Sequence, residues 1–282
     1  MKVEKPIFIV GVGRSGSTVF HRIFSEHPNV AWLSYLCERF PNKPSRLSII
    51  MKMVDYPVIG DFIGRKFGPG EGYPFWEYYC KGFSEPCRDL LAQDVTNKVK
   101  EKIPSVMSEI LTTPRNRLLI KITGWPRIGF LHAIFNDAKF IHVKRDRRAV
   151  INSMITVRFW SGWRGPQNWR WGELTPAQIE EWERFDRSFI ALAGIELKIL
   201  AEAMEKAKRF VHNGNFMEVK YEDLCADSID VFKKVTEFCE LEWSPKFENS
   251  VKKYSLKNTN YKWKQELTGS QQEIIKYFVD GC

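Results

Sequence analysis

Residues 7–18 read IFIVGVGRSGST, and this succession of residue types narrows the possible folds more than any other stretch. A β-branched apolar run ends in two glycines. A basic residue, hydroxyls and a third glycine follow, and then comes an apolar run patterned as a helix, VFHRIF. The order predicts a buried strand, a tight turn and a helix start. Glycine lets the backbone turn so tightly that successive N–H groups point into one concavity. The next helix adds its unpaired N–H groups and the positive end of its dipole. An anion, first of all a phosphate, is expected there.

Gly11 to Gly16 fits the frame G-x-x-x-x-G-K-[ST] of the nucleoside-triphosphatase loop, except that Ser17 stands where the lysine belongs. That lysine reaches the β- and γ-phosphates, so its absence argues against triphosphate chemistry. The cation sits instead at Arg14, inside the loop.

Four apolar runs read as buried strands of a parallel sheet, at residues 7–11, 117–122, 139–143 and 216–220. Helical patterns separate them, at 18–26, 94–111, 127–135, 147–157, 228–240 and 270–279. A single long helix is expected from Thr175 to Lys208, with Thr175-Pro176 as its cap and first turn. Alternating strands and helices predict an α/β fold: a three-layer α/β/α sandwich with a central parallel sheet and right-handed crossovers. Ligands in such sheets bind beyond the carboxyl ends of the strands. No linker or repeat divides the 282 residues, so one domain over 1–282 is expected.

The net charge of +9 favours anionic ligands, and its dispersal fits a pocket better than a nucleic-acid stripe. No apolar run approaches the ~18 residues of a membrane span. The chain enters its first strand by Pro6, which leaves no room for a signal peptide. Six cysteines without a C-x-x-C pair read as reduced thiols, and a cytoplasmic location follows as an expectation. The histidine spacing offers no metal site. Oligomeric state is not legible.

A second anion site is expected where the strand KFIHV runs into KRDRRAVINSM. Arg145 ends the strand and Ser153 follows two helical turns later, so both can face one phosphate, for which the planar arginine fork is suited.

With the first loop, this pattern resembles the sulfotransferase superfamily, whose members use 3′-phosphoadenosine 5′-phosphosulfate (PAPS). Arg14-Ser15-Gly16-Ser17-Thr18 is similar to the family's 5′-phosphosulfate loop, in the arginine form of the bacterial, carbohydrate and tyrosylprotein branches. Arg145 and Ser153 keep the eight-residue spacing of its 3′-phosphate signature, with Arg147 where proline is usual. Lys220-Tyr221-Glu222-Asp223-Leu224 looks like the segment whose tyrosine, here Tyr221, lies near the adenine. Lys262-Trp263-Lys264 with Leu267 resembles the segment that closes over the nucleotide, and places Lys262 among the nucleotide-binding residues. The resemblance implies in-line sulfuryl transfer, without a metal, to a hydroxyl or less often an amine. A sugar, lipid alcohol, phenol or small metabolite all remain open as acceptor.

By the same resemblance Arg14 stabilises the charge that develops in transfer, and Lys121 is a possible second cation. Cytosolic relatives carry a catalytic histidine where this chain has Thr123; other branches use a glutamate after a His-Pro pair. Glu38 is the carboxylate in the segment after His27-Pro28, and reads either as the base or as a charged helix residue. Two aromatic segments, GYPFWEYY (72–79) and FWSGWRGPQNWRWG (159–172), read as loops covering the acceptor side. A kinase- or triphosphatase-like enzyme and an inactive nucleotide- or carbohydrate-binding module of the same fold are the alternatives. The first is disfavoured by Ser17 and by the absence of an acidic residue ending the 139–143 strand.

Overall fold

A computed structural model describes residues 1–84, 88–169 and 171–280, without the side chains of Glu38, Asp61, Asn168 and Asn213. Its centre is a five-stranded sheet, β1 (Ile7–Gly11), β2 (Val30–Trp32), β3 (Arg117–Thr123), β4 (Lys139–Lys144) and β5 (Phe216–Lys220). Every pairing is parallel and the order is β2-β3-β1-β4-β5. The four expected strands are present. β2, unforeseen, is only three residues long and sits at the edge beside β3.

Helices flank the sheet in chain order: α1 (Ser17–Phe24), α2 (Leu36–Arg39), α3 (Ser45–Val54), α4 (Gly60–Lys66), α5 (Tyr73–Tyr79), α6 (Asn97–Ser108), α7 (Ile128–Ile134) and α8 (Arg147–Ile155). Then come α9 (Pro176–Glu183), α10 (Phe189–Ala207), α11 (Tyr221–Ala226), α12 (Ser228–Phe238), α13 (Pro245–Lys252), α14 (Trp263–Glu266) and α15 (Gly269–Asp280). Side chains of a strand alternate between faces, so a sheet covered on both sides needs continuous apolar runs. Phe8 and Val10 enter one core with residues of α3, α5, α6 and α7. Ile7 and Ile9 enter the other with Phe20, Phe24, Phe232 and Phe247 from α1, α12 and α13. The Phe20 and Phe232 rings stack there at 5.0 Å.

The expected single helix from Thr175 to Lys208 is two helices. Thr175 caps α9 in a reciprocal box with Gln178, as expected. Asp186 (φ 50°) and Arg187 (φ 55°) then turn left-handed, which stops the helix. Ser188 restarts it by accepting from the Ile190 N–H at 3.2 Å. The segment 72–79 is also corrected: it is α5, with Phe75 and Trp76 wholly buried in the core.

Candidate nucleotide-binding site

The glycine-rich loop joins β1 to α1 at the carboxyl edge of the sheet. Arg14 is left-handed at φ 70°, a conformation that costs a non-glycine residue about 1 kcal/mol or more. Gly16, at φ 92°, caps α1. A Cβ on Gly16 would fall 2.3 Å from Cδ2 of Tyr221, so only glycine leaves room for that ring against the loop. Ser15 is fully buried and its Oγ has no hydrogen-bond partner, a polar atom left for a ligand or water. Ser17 is buried at the start of the helix. Thr18 Oγ1 accepts from Lys121 Nζ at 2.9 Å.

The second expected site lies against the first. Arg145, just past β4, donates from Nη1 to the carbonyl of Arg14 at 3.3 Å. Its Nε and Nη2 donate to Asn260 Oδ1 (2.8 Å) and Thr259 Oγ1 (3.1 Å). The guanidinium lies 4.7 Å from the centre of the Tyr221 ring. Arg14 Nε in turn donates to Ser153 Oγ on α8 at 2.9 Å. α8 begins at Arg147 because Asp146 accepts from the Arg148 N–H at 2.8 Å and pairs with its guanidinium. Glu222 ties the far side together, accepting from the Asp146 N–H and from Asn260 Nδ2.

Thus Arg14, Thr18, Arg145, Ser153 and Tyr221 converge. Lys262 lies exposed on the short turn Asn260–Lys262, next to a buried Trp263 whose ring faces the Arg148 guanidinium at 5.7 Å. Glu38 belongs to α2, and its side chain lies outside the described residues. Thr259 and Asn260 escaped the sequence reading, although they immediately precede the segment it singled out. Lys121, buried beneath the loop, has a second partner as well: Glu71 Oε1 at 2.8 Å.

Two titrations are fixed by this packing. Burial, reinforced by the Lys121 charge, holds His21 well below its ordinary value, so the imidazole under the loop is neutral. Burial, followed by a hydrogen bond with the Cys225 thiol, pushes the Tyr221 phenol up to about 12. The ring therefore offers Arg145 and any base an uncharged face. Chemically, the arrangement can hold two anionic groups of one ligand, one at the glycine loop and one between Arg145 and Ser153.

The described residues of the segment 159–172 are irregular, with two short turns at 162–164 and 166–168. Trp160 is core, donating to Glu196 Oε2 at 2.8 Å, and Trp169 donates to the Gly172 carbonyl at 2.9 Å. Trp163 is exposed. Trp171 covers Gly124 just after β3, where a Cβ would meet its ring at 2.9 Å. Trp171 also lines a cleft of about 1100 Å³ with Tyr79, Phe83, Phe130 and Glu173, whereas Arg14, Lys121 and Arg145 do not line it. Among the described residues no helix is long and apolar enough to cross a membrane.

A family model described as "Sulfotransferase family" matches residues 6–59 and 83–245. The chain is 24% identical over 243 residues to an uncharacterised protein of Aquifex aeolicus (strain VF5), covering 85% of this chain but only 26% of that much longer relative. In fold it is similar to the sulfotransferase STF9 from Mycobacterium avium, with a TM-score of 0.57 and 17% identity, over 100% of this chain and 78% of the other. The sulfotransferase domain of the Synechococcus PCC 7002 olefin synthase aligns with a TM-score of 0.49 and 17% identity, over 99% of this chain and 96% of that one.

Proposed function

The chain belongs to the sulfotransferase family, and on that premise we propose that it moves a sulfuryl group from PAPS to a hydroxyl acceptor. The observation that carries this reading is the joining of the two anion sites through Arg14, Ser153 and Arg145. A ligand with separate 5′ and 3′ phosphates fits such a pair of sites, and a simple nucleoside triphosphate does not. The unpartnered Ser15 Oγ and the close Gly16–Tyr221 approach fit a loop built to receive the 5′ end.

In this reading PAPS, when bound, supplies the transferable sulfuryl group. The N–H groups of Ser15 to Thr18 and the start of α1 hold its 5′-phosphate. Arg14 and Lys121 stand beside that position and stabilise charge developing on the leaving oxygen. Arg145 and Ser153 hold the 3′-phosphate, and Tyr221 packs beside the adenine. Lys262 closes over the nucleotide from its turn. The family resemblance leaves Glu38 either as the base that takes the acceptor's proton or as a charged residue of α2. The reaction proceeds without a metal, in one domain, in the cytoplasm, and the acceptor is a sugar, lipid alcohol, phenol or small metabolite and not a nucleic acid.

The test is incubation with PAPS and an acceptor library, read by mass spectrometry. Products heavier by one sulfuryl group, with release of bisphosphoadenosine, support the reading. Consumption of ATP and none of PAPS would overturn it.

A further inference from the structure

The proton acceptor has a second candidate, on a segment that no sequence motif touches. Glu71 lies in the loop between α4 and α5. Its Oε2 accepts from Thr123 Oγ1 at 2.8 Å, and its Oε1 pairs with Lys121 Nζ at 2.8 Å. Lys121 Nζ also donates to Thr18 Oγ1 in the glycine loop at 2.9 Å. The carboxylate is therefore one ammonium group away from the site of the 5′-phosphosulfate. We propose that Glu71 is the general base that takes the acceptor's proton.

Three observations carry the assignment, which rests on the sulfotransferase reading. The first is position. Thr123 ends β3 at the place where cytosolic relatives have a catalytic histidine, and here the hydroxyl of that residue holds a carboxylate. The second is capacity. A carboxylate has about four lone-pair sites, of which the two contacts use two. The side chain is 24% exposed, so an incoming hydroxyl can reach it. The third is rigidity. Gly70 N–H donates to the Leu33 carbonyl at 2.7 Å and Tyr35 N–H to the Gly68 carbonyl at 3.2 Å. Ser34 and Pro69 form an antiparallel bridge, and Tyr73 OH donates to the Thr123 carbonyl at 2.7 Å. These bonds lay the Glu71 loop alongside the segment after β2, where other family branches carry their glutamate.

The step balances without a further reactant. The acceptor O–H proton passes to Glu71, and the acceptor oxygen forms its bond to sulfur. The bond from sulfur to the 5′-phosphate oxygen breaks, and its electron pair leaves with bisphosphoadenosine. Lys121 joins Glu71 to Thr18 of the glycine loop, where the 5′-phosphosulfate is proposed to lie.

Glu71→Gln and Glu38→Gln are compared by bisphosphoadenosine calorimetry and by PAPS turnover with the best alcohol of the acceptor library and with p-nitrophenol. E71Q should lose about a hundredfold or more in kcat on the alcohol, and less on the acidic phenol, which is already partly ionised. Bisphosphoadenosine should bind E71Q as tightly as wild type or more tightly, because a repelling charge is gone. On the alcohol E38Q should lose far less kcat than E71Q. The assignment is overturned if E71Q retains kcat on the alcohol, or if E38Q alone loses it. It is also overturned if the loss in E71Q comes with comparably weaker bisphosphoadenosine binding, which would make Glu71 a positioning residue for Lys121. Failure of wild type to bind bisphosphoadenosine would instead sink the underlying reading, and this assignment with it.

Discussion

Arg14 Nε donates to Ser153 Oγ at 2.9 Å across 139 residues of chain. The hydrogen bond joins two segments, each expected from sequence to bind an anion, into one continuous surface. It also gives Arg14 a fixed direction that its exposed side chain would otherwise lack.

The two arginines of this surface should fail differently. If Arg14 stabilises the charge that develops in transfer, as proposed, Arg14→Ala should lower kcat by about a hundredfold with little change in bisphosphoadenosine affinity. If Arg145 holds the 3′-phosphate, as proposed, Arg145→Ala should raise the bisphosphoadenosine Kd by roughly 10- to 100-fold. Arg145→Lys should not restore it, because an ammonium cannot bond Asn260, Thr259 and a phosphate through one planar fork. Steady-state kinetics and calorimetry on the three variants check this; identical or exchanged profiles would undo the division of roles.

Gly16→Ala should be costly for a reason visible only in three dimensions. The new Cβ meets the Tyr221 ring at 2.3 Å, and φ of 92° is strained for alanine. The expected loss is about 1–3 kcal/mol of stability by urea denaturation, with weaker bisphosphoadenosine binding. The double variant with Tyr221→Ala should recover the steric part and leave the backbone strain. Full recovery would show that the positive φ contributes nothing.

His27 carries a pH dependence. Its Nε2 bonds the Glu242 carbonyl at 3.0 Å and its Nδ1 accepts from the Asn29 N–H at 3.2 Å, an arrangement that suits only the neutral ring. Burial pushes its pKa down to about 4. Between about 6.5 and about 4 the unfolded histidine binds a proton that the folded one does not, so stability falls as pH falls through that window. Asp89, raised by burial to about 6, works in the opposite sense, since its folded-state contribution is lost as pH rises through 6. The clean observable is therefore a difference. The stability gap between wild type and His27→Gln should shrink by about 2 kcal/mol from about pH 7 to about pH 5. A constant gap would mean that His27 does not titrate as its contacts imply.

How much was legible followed from what each element buries. β1, β3 and β4 are covered on both faces and so appear as unbroken apolar runs; β2, three residues at an edge, leaves no pattern to read. The helix break at Asp186–Arg187 depends on two left-handed residues that periodicity cannot detect. That Arg14, Arg145 and Ser153 lie together could be expected from sequence, because each stands at a strand end or on the helix after it. The positions of Asn260, Thr259 and Glu71 could not, because each reaches the site by tertiary packing: the first two through the returning C-terminal segment, the third through the bridge between Ser34 and Pro69.

On the proposed function, a donor with separate 5′ and 3′ phosphates binds across Arg14 and Arg145. The most direct test is calorimetric titration of the chain with bisphosphoadenosine and with ATP, in chelator without added metal. Bisphosphoadenosine should bind and stabilise the fold against heat while ATP does so far less, and Arg145→Ala should abolish most of the difference. Equal binding of the two nucleotides, or binding that appears only with Mg²⁺, would contradict the proposed function.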